Sequence, residues 1–392
     1  MKILHTVEFY SPSVGGAQEV IRRISEELVA KGSDVTVATS KLPERTQRVI
    51  NGVKIEEFAI SGNAVRGFRE ATPGESKRYQ EFLVSGHFDV MMNYAAQQWA
   101  TDLALPELER IPYRKVLAPC GLSGLYRPEY SSYFVQLLDA MKRYDHLIFH
   151  SNVYRDIEFA RQHGITHYTV VPNGASEQEF TREDPTFRQR YGIPEDVPLL
   201  LTVGSHTGTK GHNLVMRAFR RANIKRACLI VAGNGIGGCY RRCRLDARLT
   251  NALSLGRKKV LLLDPPRRDV VAAYHAADLF VFGSEIECSP IVLFEAMAAK
   301  TTFVTTACGN AEEILAWSKG GVLLPAKINP DGSVSATATD MAKSIDYLLS
   351  HPEEREALSA NAYKTWRERF TWEKIATEYE RVYSQVLERR SS

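Results

Sequence analysis

Short apolar runs rich in Val, Ile and Leu alternate along the chain with longer segments whose apolar residues recur at helical spacing. This alternation is typical of βα units that build a parallel sheet. In the first half, the runs predict buried strands at Lys2–Thr6, Asp34–Thr39, Phe88–Asn93, Lys115–Ala118, His146–His150 and Tyr168–Val171. In the second half, they predict strands at Leu199–Val203, Cys228–Ala232, Val260–Leu263, Leu279–Phe282, Thr302–Thr305 and Gly321–Leu324. The pattern therefore predicts an α/β protein with doubly wound, Rossmann-like sheets.

A break separates the two sets of strands. Turn residues cluster at Pro172-Asn173-Gly174, and no apolar period continues through the polar stretch Ser176–Asp184. With 392 residues the chain also exceeds the size of about 250–300 residues at which a single core stops growing. We therefore expect one domain over residues 1–175 and a second over residues 176–370, with a ligand cleft between them. Residues 371–392 carry apolar residues at helical spacing and predict an amphipathic helix that packs back on the first domain.

Composition excludes several classes of protein. Lys and Arg exceed Asp and Glu by 50 − 46 = 4, which is too small an excess to indicate a nucleic-acid partner. No apolar run approaches the roughly 18 residues of a membrane span, and the N-terminus has no signal-peptide pattern. The cysteines show no Cys-x-x-Cys pair and no His/Cys spacing typical of zinc, so we expect a reducing, cytoplasmic location and no structural metal. They are Cys120, Cys228, Cys239, Cys243, Cys288 and Cys308.

A glycine-rich turn follows the first predicted strand. Gly15 and Gly16 precede a helix that Gly32 ends. Backbone N–H groups at such a helix start can approach an anion closely, and the helix dipole favours negative charge, which suits a phosphate. The alternative is that two glycines here only allow tight packing of the strand-to-helix turn.

A second loop with more donors opens the second domain, between Val203 and a helix that begins near Asn213. It holds three glycines, the hydroxyls of Ser205, Thr207 and Thr209, and the ammonium of Lys210, which together could neutralise a diphosphate. The loop lacks the Gly-Lys-Ser/Thr ending of a P-loop, so a nucleoside triphosphatase is not indicated. A polar loop with a solvated lysine is the alternative.

Two carboxylates follow the strand Leu279–Phe282. Glu287 is predicted on the loop that leaves the strand, and Glu295 lies eight residues later in the next helix. Both could face the carboxyl edge of the sheet, where open α/β sheets bind ligands, and ligand hydroxyls would be suitable partners. Glu287 could instead be a carboxylate stabilised by the helix N-terminus, and Glu295 could belong to an internal salt bridge.

These segments together resemble glycosyltransferase family 4, and the resemblance covers nearly the whole chain. Each matching piece is common alone, but the ordered set is specific. The pieces are Lys2-Ile3-Leu4, Gly15-Gly16-Ala17, Val171-Pro172-Asn173-Gly174, Val203-Gly204, Lys210-Gly211, Ala232-Gly233-Asn234-Gly235, Tyr274-His275-Ala276-Ala277-Asp278-Leu279, Glu287 with Glu295-Ala296-Met297-Ala298, Gly309 with Glu313-Ile314, and Phe370-Thr371-Trp372. The resemblance implies a GT-B fold, in which two Rossmann-like domains face each other across a deep cleft.

The family's paired acids, Glu-x7-Glu, match Glu287 and Glu295. By this resemblance Glu295 would hold the ribose hydroxyls of a nucleotide, and Glu287 would lie beside the donor sugar, where positive charge develops at C1. Lys210 would neutralise the diphosphate leaving group, so no metal would be required. The remaining donor contacts that the resemblance implies are Gly16, Ser205, His206, Pro290, Ile291 and Val292.

The chain departs from the family's pattern at two positions. Ser205 stands where the family usually carries an arginine of the second phosphate loop, and His206 is the residue that could replace it in part. Cys120 stands where many members have a histidine that contacts the donor sugar. With Gly15, Cys120 is therefore a sugar or acceptor contact of unassigned role. These changes would alter the donor preference, slow the enzyme or leave an inactive homologue.

The resemblance implies a retaining, metal-independent transfer from a nucleotide-diphosphate sugar, with UDP or GDP as the expected nucleotide and no cofactor. The acceptor would be a hydroxyl of a sugar, a glycan, a lipid-linked acceptor or a small molecule. Three alternatives stay open, since a fold does not fix a function: a sugar-nucleotide epimerase, a phosphorylase, and a sugar-nucleotide-binding homologue without activity. Release of nucleoside diphosphate that depends on an acceptor would separate a transferase from these.

A basic run follows the middle of the second domain, at Tyr240-Arg241-Arg242-Cys243-Arg244, with Arg248 and Arg257-Lys258-Lys259 beyond it. It could dock the protein peripherally on anionic lipid at the inner face of the membrane, which would suit a lipid-linked acceptor. A solvated face is the alternative.

Overall fold

The computed structural model describes residues 1–389, which form two compact units. Met1–Asn173 make up the N-terminal unit together with the C-terminal segment that starts at Trp372, and Gly174–Thr371 make up the C-terminal unit.

The strands of the described residues are β1 (Lys2–Thr6), β2 (Asp34–Ser40), β3 (Val49–Ile50), β4 (Val53–Phe58), β5 (Ile60–Asn63), β6 (Gly67–Glu70), β7 (Val90–Tyr94), β8 (Arg114–Ala118), β9 (His146–Phe149), β10 (Tyr168–Val170), β11 (Leu199–Val203), β12 (Ala227–Ala232), β13 (Lys258–Leu263), β14 (Leu279–Phe282), β15 (Phe303–Thr305), β16 (Gly321–Leu323), β17 (Ala326–Ile328) and β18 (Val334–Ala336).

The α-helices of the same residues are α1 (Gly16–Ala30), α2 (Glu75–Ser85), α3 (Trp99–Asp102), α4 (Ser131–Arg143), α5 (Arg155–Gln162), α6 (Glu177–Phe180), α7 (Phe187–Arg190), α8 (His212–Arg221), α9 (Gly237–Leu253), α10 (Arg267–Ala276), α11 (Ile291–Ala298), α12 (Ala311–Ser318), α13 (Ala338–Ser350), α14 (Pro352–Arg369) and α15 (Trp372–Glu388). Short 3₁₀ turns form at Leu105–Glu107 and Pro128–Tyr130. No helix within residues 1–389 is both long and apolar enough to cross a membrane.

The N-terminal unit is built on one large sheet in the order β10-β9-β8-β7-β1-β2-β4-β3. Its pairs are parallel except β3 with β4. The strand order reverses at β1, so the loops after β1 and β7 diverge at the carboxyl edge, which is where such sheets bind ligands. The six strands predicted for this half are confirmed within two residues at each end.

The C-terminal unit contains a six-stranded parallel sheet in the order β13-β12-β11-β14-β15-β16. This is the order of a doubly wound nucleotide-binding sheet, and its reversal falls between β11 and β14. Both central strands are buried along their length apart from Val203 at the end of β11. The six strands predicted for this half are also confirmed, with ends that shift by at most two residues.

Amphipathic helices cover both sheets. In α1 the apolar residues at helical spacing, Val20, Ile21, Ile24 and Leu28, are all buried, as their pattern predicts. The helix α15 packs against α1 within the N-terminal unit. Beneath the two helices, the buried His5 ring contacts Ser25 Oγ at 2.8 Å and the Tyr383 hydroxyl at 2.9 Å.

Candidate active site

Two loops meet at the carboxyl edge of the C-terminal sheet, at the reversal of strand order. We call them the β11 loop (residues 204–211) and the β14 loop (residues 283–290). Gly211 adopts a left-handed φ of +66°, and a Cβ built there would lie 1.7 Å from the carbonyl oxygen of Gly283. The Glu285 N–H donates to the Thr209 carbonyl at 2.8 Å. The two loops therefore touch backbone to backbone, which only glycine at position 211 permits.

This contact brings Lys210 and Glu287 together. The Lys210 ammonium donates to Glu287 Oε1 at 2.6 Å, and the Ser284 hydroxyl donates to the same oxygen at 2.8 Å. The side chains are 26% and 15% exposed, so both can be reached by a ligand while remaining largely shielded from solvent. A cation and a carboxylate thus stand side by side at the point of the sheet where nucleotides bind in this topology. Ser284, which has no place in a recognisable sequence motif, was missed by the sequence analysis.

Glu295 lies in α11 and is almost completely buried. Its Oε1 is 2.6 Å from Nη2 of Arg267, the first residue of α10, and the same guanidinium pairs with Glu179 at 2.7 Å. Burial lowers the pKa of Arg267, but the two carboxylates outweigh this and raise it. The internal salt bridge left open by the sequence is thus present, and Arg267 is a partner that no sequence motif indicated. Ribose binding by Glu295 stays a prediction.

The β14 loop leads directly into α11, which begins at Ile291. Pro290 caps the helix, and the N–H groups of Ile291 and Val292 belong to its first turn, where donors have no partner within the helix. The loop before it is fixed by Asn310, whose side chain donates to Ser289 Oγ at 3.1 Å. The backbone after Pro290 therefore has the form that an anion site at a helix start requires.

Ser205 and His206 stand at the beginning of the β11 loop. The His206 N–H donates to Asn234 Oδ1 at 3.0 Å, which gives a role to the Ala232–Gly235 motif. The His206 ring is buried against Tyr240, with ring centroids 5.2 Å apart, and burial lowers its pKa. The ring is therefore neutral near pH 7 and offers no positive charge in place of the arginine that Ser205 replaces.

In the N-terminal unit, Gly15 caps α1 and Gly16 is its first residue, so the glycine-rich turn leads into a helix as the sequence predicts. Cys120 lies in the loop after β8 and has a left-handed φ of +58°. Its thiol lies 3.7 Å from the Tyr94 hydroxyl, which in turn is 3.1 Å from Nε2 of the buried His150. Burial lowers the pKa of His150, but contact with Cys120 raises it overall. Sequence reasoning missed Tyr94 and His150.

The loops around Cys120 hold strained backbone. Left-handed φ angles recur at the non-glycine residues Ala95, Gln97 and Leu122 in the loops that follow β7 and β8. Such angles are costly for residues with a Cβ and concentrate at binding and catalytic sites.

A polar cavity of about 300 Å³ opens beside this strained backbone, within the N-terminal unit. Burial raises the pKa of Glu8, which lines it. Arg66 and Arg127 supply two cations to its wall. No sequence motif pointed to these three residues, because they come from loops that only the fold brings together.

Comparison with known proteins supports a chemical class for this arrangement. Residues 183–365, which include both loops and Glu295, match the family model described as glycosyl transferases group 1. The chain is 28% identical to an uncharacterized glycosyltransferase of Methanocaldococcus jannaschii over an alignment of 413 residues, which covers 99% of each chain.

Solved structures share the fold over the whole chain. Sucrose-phosphate synthase of Thermosynechococcus elongatus superposes with a TM-score of 0.78 at 18% identity, with 98% of each chain covered. HepE of Anabaena, solved in complex with UDP-glucose, gives a TM-score of 0.72 at 16% identity, with 100% of this chain and 99% of that chain covered. The chain therefore has the two-domain α/β GT-B fold, and the family and relatives support a glycosyltransferase of group 1.

Proposed function

We propose that the protein is a retaining glycosyltransferase of the family 4 type, which moves a sugar from a nucleotide-diphosphate sugar to an acceptor hydroxyl. The observation that carries the proposal is the Lys210–Glu287 pair, 2.6 Å apart at the strand-order reversal of the C-terminal sheet. A lysine there can neutralise a diphosphate, and a carboxylate beside it can orient sugar hydroxyls.

The proposed roles follow from charge. As the bond from C1 to the diphosphate oxygen breaks, negative charge grows on the diphosphate and positive charge grows on the sugar. The Lys210 ammonium and the N–H groups of Ile291 and Val292 stabilise the negative charge on the diphosphate. The Glu287 carboxylate stabilises the positive charge on the sugar. The acceptor hydroxyl gives its proton to the departing phosphate and forms the new bond on the same face of the sugar. These groups of the chain supply the charge, so we propose that the transfer needs no metal.

For the donor we propose a UDP-sugar, with a GDP-sugar as the second candidate. The proposal draws support from HepE, whose structure contains UDP-glucose and which shares the fold. Glu295 is proposed to accept hydrogen bonds from the ribose hydroxyls. Its bond to Arg267 would then be shared or exchanged when the nucleotide binds, since one carboxylate offers about four lone-pair positions.

For the acceptor we propose the polar cavity of the N-terminal unit. Arg66 and Arg127 in its wall favour an acceptor with a phosphate or carboxylate group, because guanidinium groups bind such anions in a bidentate manner. Cys120 and Gly15 lie in neighbouring loops of this unit and are proposed as sugar or acceptor contacts.

Docking on a lipid surface is proposed for α9. Arg241, Arg242, Arg244 and Arg248 are exposed on this helix, and so are the apolar Leu245, Leu249 and Leu253, whose side chains are 61%, 55% and 78% exposed. Basic and apolar side chains side by side suit a surface of anionic lipid.

Co-sedimentation with vesicles tests the docking of α9. Binding to vesicles with phosphatidylglycerol, and its loss in a Leu245→Ser/Leu249→Ser variant, are expected. The exposed Ile328→Ser, on a different element, is the control that should still bind. Equal sedimentation of the α9 variant and the wild type would contradict the proposal.

A binding protein without turnover is the second candidate, because Ser205 and Cys120 replace residues that the family uses for the donor. Incubation with UDP-, GDP- and ADP-sugars and an acceptor panel distinguishes the two. Acceptor-dependent release of nucleoside diphosphate, with retention of the anomeric configuration, is expected of the transferase. Binding without release would leave the second candidate, and release without any acceptor would favour an epimerase.

A further inference from the structure

Four side chains with soft metal-binding atoms converge beside the β11 loop. They are His206 in the loop, His212 at the start of α8, and Cys239 and Cys243 on α9. One nitrogen or sulfur atom from each lies within 4.8 Å of every other. Three of the four are buried and Cys239 is partly buried, so the cluster is shielded from solvent.

The fold, and not the spacing along the chain, creates this cluster. Cys239 and Cys243 are one helical turn apart and therefore share a face of α9. The two histidines come from the other side, where the β11 loop enters α8. Sequence reasoning rejected a structural metal because no familiar His/Cys spacing is present, and it missed this cluster because the two pairs meet only through the packing of α8 on α9.

Two of the separations within the cluster agree with the edges of a tetrahedron around a zinc ion. His206 Nδ1 lies 3.2 Å from His212 Nδ1 and 3.6 Å from Cys239 Sγ. With bonds of about 2.0–2.1 Å to nitrogen and about 2.3 Å to sulfur, a tetrahedral zinc site has N–N edges of about 3.3–3.4 Å and N–S edges of about 3.6 Å. Both observed separations lie within about 0.2 Å of those edges.

Hydrogen bonds alone do not satisfy this arrangement. Both the His212 ring nitrogen and the Cys239 sulfur lie against the same nitrogen, Nδ1 of His206. In a neutral imidazole, one ring nitrogen either donates or accepts a single strong bond, so it cannot serve both neighbours equally. A cation between the three atoms accepts one lone pair from each of them at once.

We propose that the protein binds one structural zinc ion through Nδ1 of His206, Nδ1 of His212 and the sulfur atoms of Cys239 and Cys243. On binding, the two thiols release two protons, and the two thiolates balance the 2+ charge of the ion. Four protein ligands close the coordination sphere, so the ion is structural and takes no part in the transfer reaction.

The consequence of the ion is a cross-link between the β11 loop and α9. His206 is four residues before Lys210 in the same loop, so a metal bond to His206 and His212 holds the loop at both ends. The ion thereby fixes the segment that presents Lys210 and ties it to the helix that carries the exposed arginine and leucine residues.

Cobalt binding to the wild-type protein tests the site directly. Tag-free protein is stripped with a chelator, kept free of oxygen and titrated with Co²⁺, and then with Zn²⁺. We expect one Co²⁺ per chain, intense visible absorption of a tetrahedral ion, and a near-ultraviolet thiolate-to-cobalt band that Zn²⁺ abolishes. Weak absorption of an octahedral ion, or the absence of the thiolate band, would overturn the proposal.

Variants assign the ligands. Cys239→Ser/Cys243→Ser is expected to lose the thiolate band and to hold less than a tenth of the Zn²⁺ retained by the wild type after gel filtration. Cys228→Ser, at a buried thiol of β12, is the matched control and should keep both the thiolate band and the bound Zn²⁺. Equal zinc retention by the double variant and the control would contradict the assignment. Because the readout is metal and not turnover, its outcome is independent of the proposed transferase activity.

Discussion

Lys210 and Glu287 share one partly shielded position although 77 residues separate them along the chain. The pair is weak as a source of stability, because ion pairs with access to water contribute at most about 1 kcal/mol. Its charges are better suited to a ligand, since both side chains stand at the carboxyl edge of the sheet. We therefore expect substitutions here to change catalysis far more than folding.

Lys210→Ala is predicted to lower kcat by about 100–1000-fold, because the leaving diphosphate loses a fixed positive charge. The thermal midpoint should change little. Lys210→Arg should recover part of the activity, since it restores the charge with a different geometry. Steady-state kinetics with the preferred donor measures all three proteins, and a kcat for Lys210→Ala within threefold of the wild type would contradict the proposed role.

Glu295→Ala is predicted to weaken nucleotide binding, whereas Glu287→Ala should mainly lower turnover. The first change removes the proposed acceptor for ribose hydroxyls and also frees Arg267 from one of its two carboxylates. Calorimetric titration with nucleoside diphosphate separates binding from chemistry. If the two variants bound nucleotide equally and turned over equally, the division of roles between the acids would be wrong.

At this scale, sequence reasoning reached the residues that sit in recurring motifs. It placed Glu287 on a loop and Glu295 in the following helix, which the structure confirms. It could not find Arg267, because its partners Glu179 and Glu295 lie on other elements. It matched Asn234 to a motif without giving it a role, and it gave no role to Ser284, because a polar residue outside a motif looks like any solvated side chain. The His206–Cys239 contact was missed for the same reason.

The contact between the β11 and β14 loops depends on a glycine at an element boundary. Gly211→Ala is predicted to destabilise the protein and to reduce kcat, because its Cβ would overlap the Gly283 carbonyl and push Lys210 away from Glu287. Gly208→Ala is the matched control, since its φ of +97° is equally unfavourable for alanine but its Cβ would meet open space.

Thermal unfolding and kcat of the two glycine variants separate strain from collision. Both should lose about 1 kcal/mol from backbone strain. Only Gly211→Ala should also lose activity, by tenfold or more. Equal activity of the two variants would show that loop contact does not position Lys210.

The packing of β1, α1 and α15 should be sensitive to acid through His5. Burial lowers the pKa of this ring to about 3, against about 6.5 in the unfolded chain. The contribution of the neutral ring to the free energy of unfolding is therefore complete above pH 6.5. It is lost as the pH falls toward 3, because over this range His5 binds a proton in the unfolded chain but not in the folded one. Between pH 6.5 and pH 5 this amounts to about 2 kcal/mol.

Urea unfolding at pH 7 and pH 5 measures this dependence as the difference between wild type and His5→Gln. The variant is expected to be less stable at pH 7, and to lose about 2 kcal/mol less than the wild type on acidification. A wild type and variant that lose the same free energy would show that His5 is not the group responsible.

At the level of elements, the strands that sequence reasoning found are those buried on both faces, such as β11 and β14, which read as continuous apolar runs. It missed β3 to β6, β17 and β18. β4 has six residues and is largely buried, but its alternating Val53-Lys54-Ile55 start lacks the continuous apolar run of the predicted strands. The others have at most four residues, and β6 and β17 are exposed along their whole length, so they carry no apolar period. Their pairing is set by neighbours and turns that the local pattern does not encode.

For the whole molecule, the sequence supports two sheets of βα units but not their strand order. The strand order matters for the proposed function, because the reversal between β11 and β14 brings the loops that carry Lys210 and Glu287 to the same edge of the C-terminal sheet. Glu8, Arg66 and Arg127 are likewise distant in sequence. They share a cavity only because the strand order of the N-terminal sheet, which reverses at β1, brings their loops together. The resemblance to glycosyltransferase family 4 gave Lys210 and Glu287 roles at one donor site, which hydrophobic periodicity alone could not indicate.

The most direct test of the proposed function is turnover of purified protein with UDP-, GDP- and ADP-sugars, an acceptor panel and no added metal. We predict release of nucleoside diphosphate from one nucleotide series, dependent on acceptor, abolished in Glu287→Ala and retained in Glu285→Ala, whose carboxylate lies on the same loop. Failure to bind or consume any donor, or full activity of Glu287→Ala, would contradict the proposed transferase.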